Sequence, residues 1–148
     1  MNDVKHKAGK VTGIIANLVI VASHEPVAQN EICFITVGEE RLLGEVIKII
    51  HGDIFVQCFE STRGLKVGNL VEFTGEMLEI TLGPGMLSKI YDGLQNDLDQ
   101  FESLFIQRGQ YSAALNSNIQ WFFKPLAKAG DRVQASDWLG EVNENAVT

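Results

Sequence analysis

The first half of the chain alternates between short apolar runs and residues typical of turns. The apolar runs cover residues 10–14, 18–22, 32–37, 41–50, 54–59 and 70–73. Short strands that recur between turn signals are typical of a small closed β-barrel, so we expect one mainly antiparallel barrel of about six strands. His51-Gly52-Asp53 predicts the clearest hairpin, because Gly and Asp tolerate positive φ.

A corner and a helical period follow the last of these runs. Gly83-Pro84-Gly85 predicts a rigid turn, since glycine reaches backbone angles closed to other residues and proline fixes its own φ. Apolar residues then recur at i, i+3, i+4 and i+7, which predicts a short helix of about two turns. We expect its leucines and isoleucine to pack inward, with Gly93 near the C-terminal end. The apolar face consists of Leu87, Ile90, Tyr91 and Leu94.

After residue 104 the pattern becomes β-like again, with short runs between turns. Its aromatic residues are expected to form a second small core, because aromatics at strand positions are usually buried. These aromatics are Trp121, Phe122, Phe123 and Trp138. The chain is therefore predicted to be mainly β, with a closed N-terminal barrel (1–76), a short helical joint (77–103) and part of a second β-rich domain (104–148).

Charge and hydropathy limit which ligands the chain can bind and where in the cell we expect it. The formal net charge of −7 disfavours binding to nucleic acid or to anionic lipid, since both need clustered Lys and Arg. The basic cluster Lys5, Lys7 and Lys10 is expected to be a solvated tail, because no aromatic residue interleaves it. We see neither the apolar core of a secretory signal nor the roughly 20 apolar residues of a membrane span, so we expect a cytoplasmic location.

The sequence contains no recognisable catalytic or metal-binding constellation. A phosphate-binding loop of the form G-x-x-x-x-G-K-[ST] is missing, and His6, His24 and His51 are scattered without a partner at i+4. Cys33 and Cys58 lie in apolar strand-like runs, which predicts buried, reduced thiols. We therefore expect no catalytic, cofactor-binding or metal-binding residue. The polar residues Asn96, Asp97, Asp99 and Glu102 are expected to form a solvated face.

Several ordered segments resemble the catalytic A (alpha) subunit of bacterial V/A-type rotary ATPases, also called ATP synthases. The most specific is the Leu-Gly-Pro-Gly joint of residues 82–95, and similarity extends from about Gly9 to Val142. One departure is Asn96-Asp97-Leu98, where many members have Arg-Pro-Leu. The other matching segments are residues 9–14, 41–47, 59–68, 105–111, 121–125, 129–133 and 137–142.

This resemblance implies the N-terminal, non-catalytic region of such a subunit. The barrel would contact neighbouring A and B subunits of a hexamer, and the barrel-sandwich-like inserted domain after residue 104 would contact the peripheral stalk. The region itself would bind no cofactor, whereas ATP and Mg would belong to the full-length subunit, which couples ATP to H⁺ or Na⁺ transport. Membrane association would come only through the whole cytoplasmic complex.

Two other readings remain open. One is a biotinyl- or lipoyl-type carrier, because Gly130-Asp131 and Asp137-Trp138-Leu139-Gly140 resemble half of such a sandwich. A carrier needs a lysine displayed at a hairpin tip, and Lys124 and Lys128, which flank Pro125, lack that context, which disfavours this function. The other is a stand-alone β-barrel binding module, for which an acidic surface without stacked aromatics disfavours single-stranded nucleic acid as the ligand.

Overall fold

The computed structural model describes residues 7–101 and 106–144 of the chain. Its first six strands form one closed barrel in the order β1-β2-β5-β4-β3-β6, with every neighbouring pair antiparallel. The strands are β1 (Lys7–Ile15), β2 (Leu18–Ser23), β3 (Glu31–Val37), β4 (Glu40–Ile50), β5 (Asp53–Cys58) and β6 (Leu70–Met77). The predicted barrel of six antiparallel strands is confirmed.

Alternation of apolar and polar residues decides which side chains enter the barrel. Successive side chains of a strand point to opposite faces, so every second residue faces the interior. The largest of the fully buried side chains is Phe73 on β6. The core cluster consists of Val11, Val19, Val21, Cys33, Ile35, Leu42, Val46, Ile54, Val56, Cys58, Leu65, Val71 and Phe73.

Three two-residue loops set the register of the hairpins. The loop between β4 and β5 is His51-Gly52, with φ of 51° and 94°, and it pairs Ile50 with Asp53. Positive φ at both central residues is the type I′ geometry, whose twist matches that of the flanking strands. The predicted tight hairpin is confirmed. Ala16-Asn17 joins β1 to β2 and Gly38-Glu39 joins β3 to β4.

Gly44 on β4 packs directly against Val56 on β5. A Cβ built on Gly44 would lie 2.6 Å from Cγ1 of Val56 and 3.2 Å from the carbonyl oxygen of Gln57. Cβ atoms do not tolerate contacts this short, so a larger residue would have to displace the fully buried Val56. This explains the glycine in the middle of a strand that is otherwise rich in large apolar residues.

Both cysteines are free thiols buried in the barrel, which confirms the prediction of buried, reduced thiols. Burial raises the pKa of Cys58 to about 11, and burial together with Cys58 and Glu31 raises the pKa of Cys33 further. Cys33 on β3 and Cys58 on β5 both pair with Gly44 on the intervening strand. Two strand spacings amount to roughly 9–10 Å, which exceeds the reach of a disulfide.

The chain divides into two compact units. The first consists of Met1–Glu79 with Phe105–Gln110, and the second of Ile80–Leu104 with Tyr111–Thr148. In the second unit, β7 (Phe123–Pro125) and β8 (Gly140–Val142) form a two-stranded antiparallel sheet. The predicted division at residues 76 and 103 stays a prediction.

The predicted aromatic core of the second unit is wrong for three of its four residues. Phe122 and Trp138 are 84% and 81% exposed, Phe123 is also exposed, and only Trp121 is half-buried. The strands β7 and β8 are three residues each, and their burial patterns contain no fully buried residue. So small a sheet covers too little surface to enclose large rings, which sequence periodicity alone does not reveal.

The predicted helix after the corner is also wrong. Residues 86–97 form turns, and Ser88 and Gln95 have φ of 64° and 61°, values that a right-handed helix does not allow. Leu87 and Ile90 are 46% and 64% exposed rather than packed inward. The helical content of the described ranges is a single 3₁₀ turn, Leu98–Gln100. The helical period misled because the carboxylates of Asp92 and Asp97 accept hydrogen bonds from nearby backbone N–H groups and fix a different backbone path.

Candidate functional site

The described residues contain no cluster of three or more His, Cys, Asp and Glu side chains that could hold a metal ion. His24 and His51 are both exposed, His24 in the bend after β2 and His51 in the loop between β4 and β5. Lys124 lies within β7, where its Nζ is 3.4 Å from Oε2 of Glu141, rather than at the tip of a hairpin. Lys128 lies at the start of an exposed turn that Asp131 caps. The expectation of no catalytic, cofactor or metal residue stays a prediction.

The Gly-Pro-Gly corner is an ordered turn against two side chains of its own unit. A Cβ on Gly83 would lie 2.9 Å from Cδ1 of Leu115, and one on Gly85 would lie 3.4 Å from Trp121. Gly85 also has φ of 102°, which other residues rarely adopt. Glycine is therefore needed here both for backbone angle and for close packing, and the chain turns at Pro84 and Gly85 as predicted.

Asp92 organises the turn that follows the corner. Its Oδ1 accepts hydrogen bonds from the backbone N–H groups of Leu94 and Asn96, at 2.9 and 2.8 Å, and its Oδ2 accepts one from Nδ2 of Asn96 at 2.8 Å. An aspartate that binds the backbone two residues further on forms an Asx turn. The Asp92-Gly93 pair was the sequence signal for this turn, and the helical period concealed it.

Asp97 is the second anchor of this network. Its Oδ2 accepts hydrogen bonds from Nζ of Lys89 and Nε2 of Gln100, both at 3.0 Å, and its Oδ1 accepts one from the N–H of Asp99 at 3.2 Å. Asp97 and Asn96 are buried, so the prediction that they belong to a solvated face is wrong. Asp99 is exposed as predicted. Glu102 lies outside the described residues.

The network also binds the segment 112–114 of the same unit. Oδ1 of Asn96 accepts from the N–H of Ser112 at 2.9 Å, and the hydroxyl of Tyr91 donates to the carbonyl of Ala114 at 2.8 Å. Nε2 of Gln100 reaches the carbonyl of Ala113 at 3.1 Å. Sequence analysis treated Asn96-Asp97 as part of a solvated face and as a departure from a family pattern. Their partners lie up to 16 residues away, so no local motif identifies them.

A cleft of about 450 Å³ opens beside this network, entirely within the second unit. Its polar wall is the ion pair of Lys89 and Asp97. The bond from Gln100, followed by the bond and charge of Lys89, lowers the pKa of Asp97, and the pKa of Lys89 is raised mainly by its bond to Asp97. Both groups are therefore charged at neutral pH, which makes neither suitable as a general acid or base there. Among the lining residues are Pro84, Lys89, Asp97, Gln100, Leu115 and Trp121.

The network predicts acid sensitivity of the second unit. Burial raises the pKa of Asp92, but the hydrogen bonds from Asn96 and Leu94 outweigh it and the net pKa is lowered, as for Asp97. A carboxylate whose pKa is lowered by folding stabilises the fold above its unfolded value of about 3.9 and loses this contribution as pH falls through the folded value. We expect the unit to unfold below about pH 4, with tryptophan fluorescence as the readout.

Two substitutions check the origin of this transition. Both tryptophans, Trp121 and Trp138, belong to the second unit, so their emission reports on it selectively. Asp97→Asn should weaken the acid dependence, whereas Asp99→Asn, at an exposed position beside the network, should leave it nearly unchanged. An identical acid transition in Asp97→Asn and the unmodified chain would contradict the assignment.

Exposed apolar side chains mark the stretch just after the barrel. Met77, Leu78, Ile80 and Leu82 are all exposed, as is Leu70 at the start of β6. None of the described helices is long and apolar enough to cross a membrane.

Comparison with known proteins identifies both parts of the chain. The β-barrel domain of the ATP synthase alpha/beta family matches residues 11–75, and the barrel-sandwich domain of the ATP synthase alpha/beta subunit matches residues 112–148. The V-type ATP synthase alpha chain of Borrelia duttonii is 46% identical over 142 residues, which is 94% of this chain and 25% of that protein. That of Treponema denticola is 43% identical over 143 residues, 95% of this chain and 24% of that protein. The chain thus spans about a quarter of the length of these relatives.

Proposed function

The chain belongs to the ATP synthase alpha/beta family, and on that premise we propose that it is the N-terminal, non-catalytic region of the A subunit of a V/A-type rotary ATPase. Its role is assembly: the barrel contacts neighbouring A and B subunits of a hexamer, and the second unit contacts the peripheral stalk. The complex is cytoplasmic and peripheral to the membrane, and it couples ATP to H⁺ or Na⁺ transport.

The main support for this proposal is the extent of the similarity. The alignment with the Borrelia duttonii relative covers 94% of the chain. The β-barrel domain and the barrel-sandwich domain of the family match this chain one after the other. The closed barrel at residues 7–77 agrees with the first of these domains. ATP and Mg belong, in this proposal, to the remainder of a longer subunit.

We predict that this chain does not bind Mg-ATP, because it lacks a phosphate-binding loop and because Lys89, the lysine nearest the glycine-rich corner, is held by Asp97 and Asp99. Isothermal titration with Mg-ATP should give no saturable heat. A micromolar site would contradict the prediction. Lys89→Ala would then show whether that site lies at the corner.

The assembly role is tested with a chimera. The matching region of the Treponema denticola V-type ATP synthase alpha chain is replaced by this chain and expressed with the other subunits of that complex. We expect the chimera to enter a hexamer, as measured by native mass spectrometry. A chimera that is folded and soluble but remains monomeric would contradict the role.

Stalk contact is tested separately on the second unit. Phe122 and Trp138 are its most exposed aromatic residues, and exposed aromatics are enriched in protein interfaces. In the chimera, Trp138→Ala should weaken binding of the peripheral stalk and leave the hexamer intact. The matched control is Tyr111→Ala, at a less exposed aromatic of the same unit. Equal stalk binding by all three proteins would argue against this assignment.

A further inference from the structure

A short segment that follows the turn region of residues 80–101 lies against the barrel. Residues 106–110, here called the strap, belong to the barrel unit although the chain has already left that unit after Glu79. The N–H of Gln110 donates to the carbonyl of Gln107 at 3.1 Å, and Gly109 has φ of 74°. Positive φ at the third position is what a type II turn requires. The strap is therefore a tight turn with Arg108 and Gly109 at its centre.

Arg108 contacts two separate parts of the barrel, the loop after β5 and the start of β4. Its Nη1 donates to the carbonyl oxygen of Ser61 at 3.1 Å and to that of Arg63, and its Nη2 donates to Oε2 of Glu40. Ser61 and Arg63 follow β5, whereas Glu40 begins β4. A planar guanidinium with several fixed donors can hold such divergent acceptors at once, which an ammonium group cannot do equally well.

Gly109 packs closely against the same part of the barrel that Arg108 binds. Its N–H donates to Oε1 of Glu60 at 2.8 Å. A Cβ on Gly109 would lie 3.4 Å from Cβ of Glu40 and 3.5 Å from the carbonyl oxygen of Arg41. The structure thus brings together two sequence segments, 59–64 and 106–110, that are about 45 residues apart along the chain.

Neither the strand ladder of the barrel nor its core contains a residue of the strap. The six strands close into a complete ladder without it. Ile106, the apolar side chain of the strap, is 40% exposed. The described contacts that hold the strap are hydrogen bonds and one ion pair, at groups that are partly accessible to water. Contacts of this kind open at a much lower free energy than a packed core.

We propose that the strap is a releasable attachment, with Arg108 as its positioning residue, and that it detaches while the barrel stays folded. Ile80–Leu104 and Tyr111–Thr148 belong to the second unit, so the strap returns the chain to the barrel between two stretches of that unit. Release of the strap frees this returning segment and leaves the six-stranded barrel closed.

Hydrogen–deuterium exchange of the full chain tests this proposal. In Arg108→Ala, we expect exchange at residues 106–110 and 59–63 to become on the order of tenfold faster, because the strap loses the contacts that close it. Exchange in β3 and β6 should be unchanged. The control is Arg63→Ala, which removes an exposed arginine side chain but keeps the backbone carbonyl that accepts from Arg108.

Two further variants separate geometry from charge. Arg108→Lys keeps the charge and loses the planar fork, so exchange in the strap should lie closer to Arg108→Ala than to the unmodified chain. Glu60→Gln keeps an oxygen acceptor for Gly109 and should change strap exchange little. Unchanged strap exchange in Arg108→Ala would overturn the proposal. Equally accelerated exchange in the barrel strands would overturn it too, because the strap would then be an integral part of the barrel.

Discussion

Phe73→Ala should reduce the free energy of unfolding of the barrel by about 3–5 kcal/mol. Phe73 is the largest of the fully buried side chains, and it lies on β6, which pairs with both β1 and β3 and so closes the barrel. Removing its ring deletes buried apolar contacts and leaves a cavity among residues that are themselves close-packed. Urea denaturation followed by far-ultraviolet circular dichroism measures the loss, because the barrel contains most of the strand residues that the structure describes.

The matched control for this substitution is Phe59→Ala. Phe59 lies just after β5, in the same unit, and is 39% exposed. Its backbone N–H donates to the carbonyl of Leu43, a bond that the substitution keeps. We expect a clearly smaller loss than for Phe73→Ala, since Phe59 keeps more than a third of its surface in water and its truncation leaves no enclosed cavity. Similar losses for both variants would show that Phe73 does not fill the barrel core in solution.

The barrel could be predicted from the sequence because its physics is local and periodic. Residues 54–59 alternate in burial, and the loop His51-Gly52 suits positive φ, so one short stretch specifies both a strand face and a hairpin. Strand order was not predictable in the same way. That β2 pairs with β5 and β3 with β6 is decided by which apolar faces close the barrel together, a property of the whole set of strands.

The joint shows why a good helical period can mislead. Leu87, Ile90 and Leu94 have the spacing of a helix, but Asp92-Gly93 lies between two of them and Asn96-Asp97 follows shortly after. The side chains of Asp92 and Asp97 bind nearby backbone N–H groups, and these bonds compete directly with those of a helix. A two-turn helix is marginal in isolation, so a few such bonds suffice to displace it.

Glu31 has a structural role in the barrel that sequence analysis missed. It follows a polar stretch, Gln29-Asn30, and resembles an ordinary turn residue, yet it is only 2% exposed. Its Oε1 accepts from the N–H of Gly75, which is 44 residues away, at 2.7 Å. Its Oε2 accepts from the N–H of Ala28 at 2.9 Å and from Nζ of Lys7 at 3.3 Å. No local pattern announces a carboxylate whose partners come from β1, β6 and the connection before β3.

These contacts explain how the barrel closes at this end. The ladder between β3 and β6 has an irregularity between Glu31 and Cys33, where regular backbone pairing is interrupted. Interrupted pairing leaves backbone N–H groups that need another acceptor. The carboxylate of Glu31 supplies it for Gly75, and the same side chain fixes Ala28 and the ammonium group of Lys7.

Glu31→Ala should therefore reduce the free energy of unfolding of the barrel by about 2–4 kcal/mol, since hydrogen bonds to a charged group are stronger than those between neutral groups. Glu31→Gln should reduce the free energy of unfolding by less, because its amide oxygen still accepts from the N–H of Gly75. Some loss should remain, because its NH₂ group faces the donors of Ala28 and Lys7. The control is Glu25→Ala, at an exposed glutamate in the same connection between β2 and β3, which should change stability by no more than about 0.5 kcal/mol. Urea denaturation of the three variants measures these changes in the free energy of unfolding. Equal stability of Glu31→Ala and Glu25→Ala would contradict this prediction. Water would then replace the carboxylate at no cost, and Glu31 would not hold β3 and β6 together at the irregularity in their pairing.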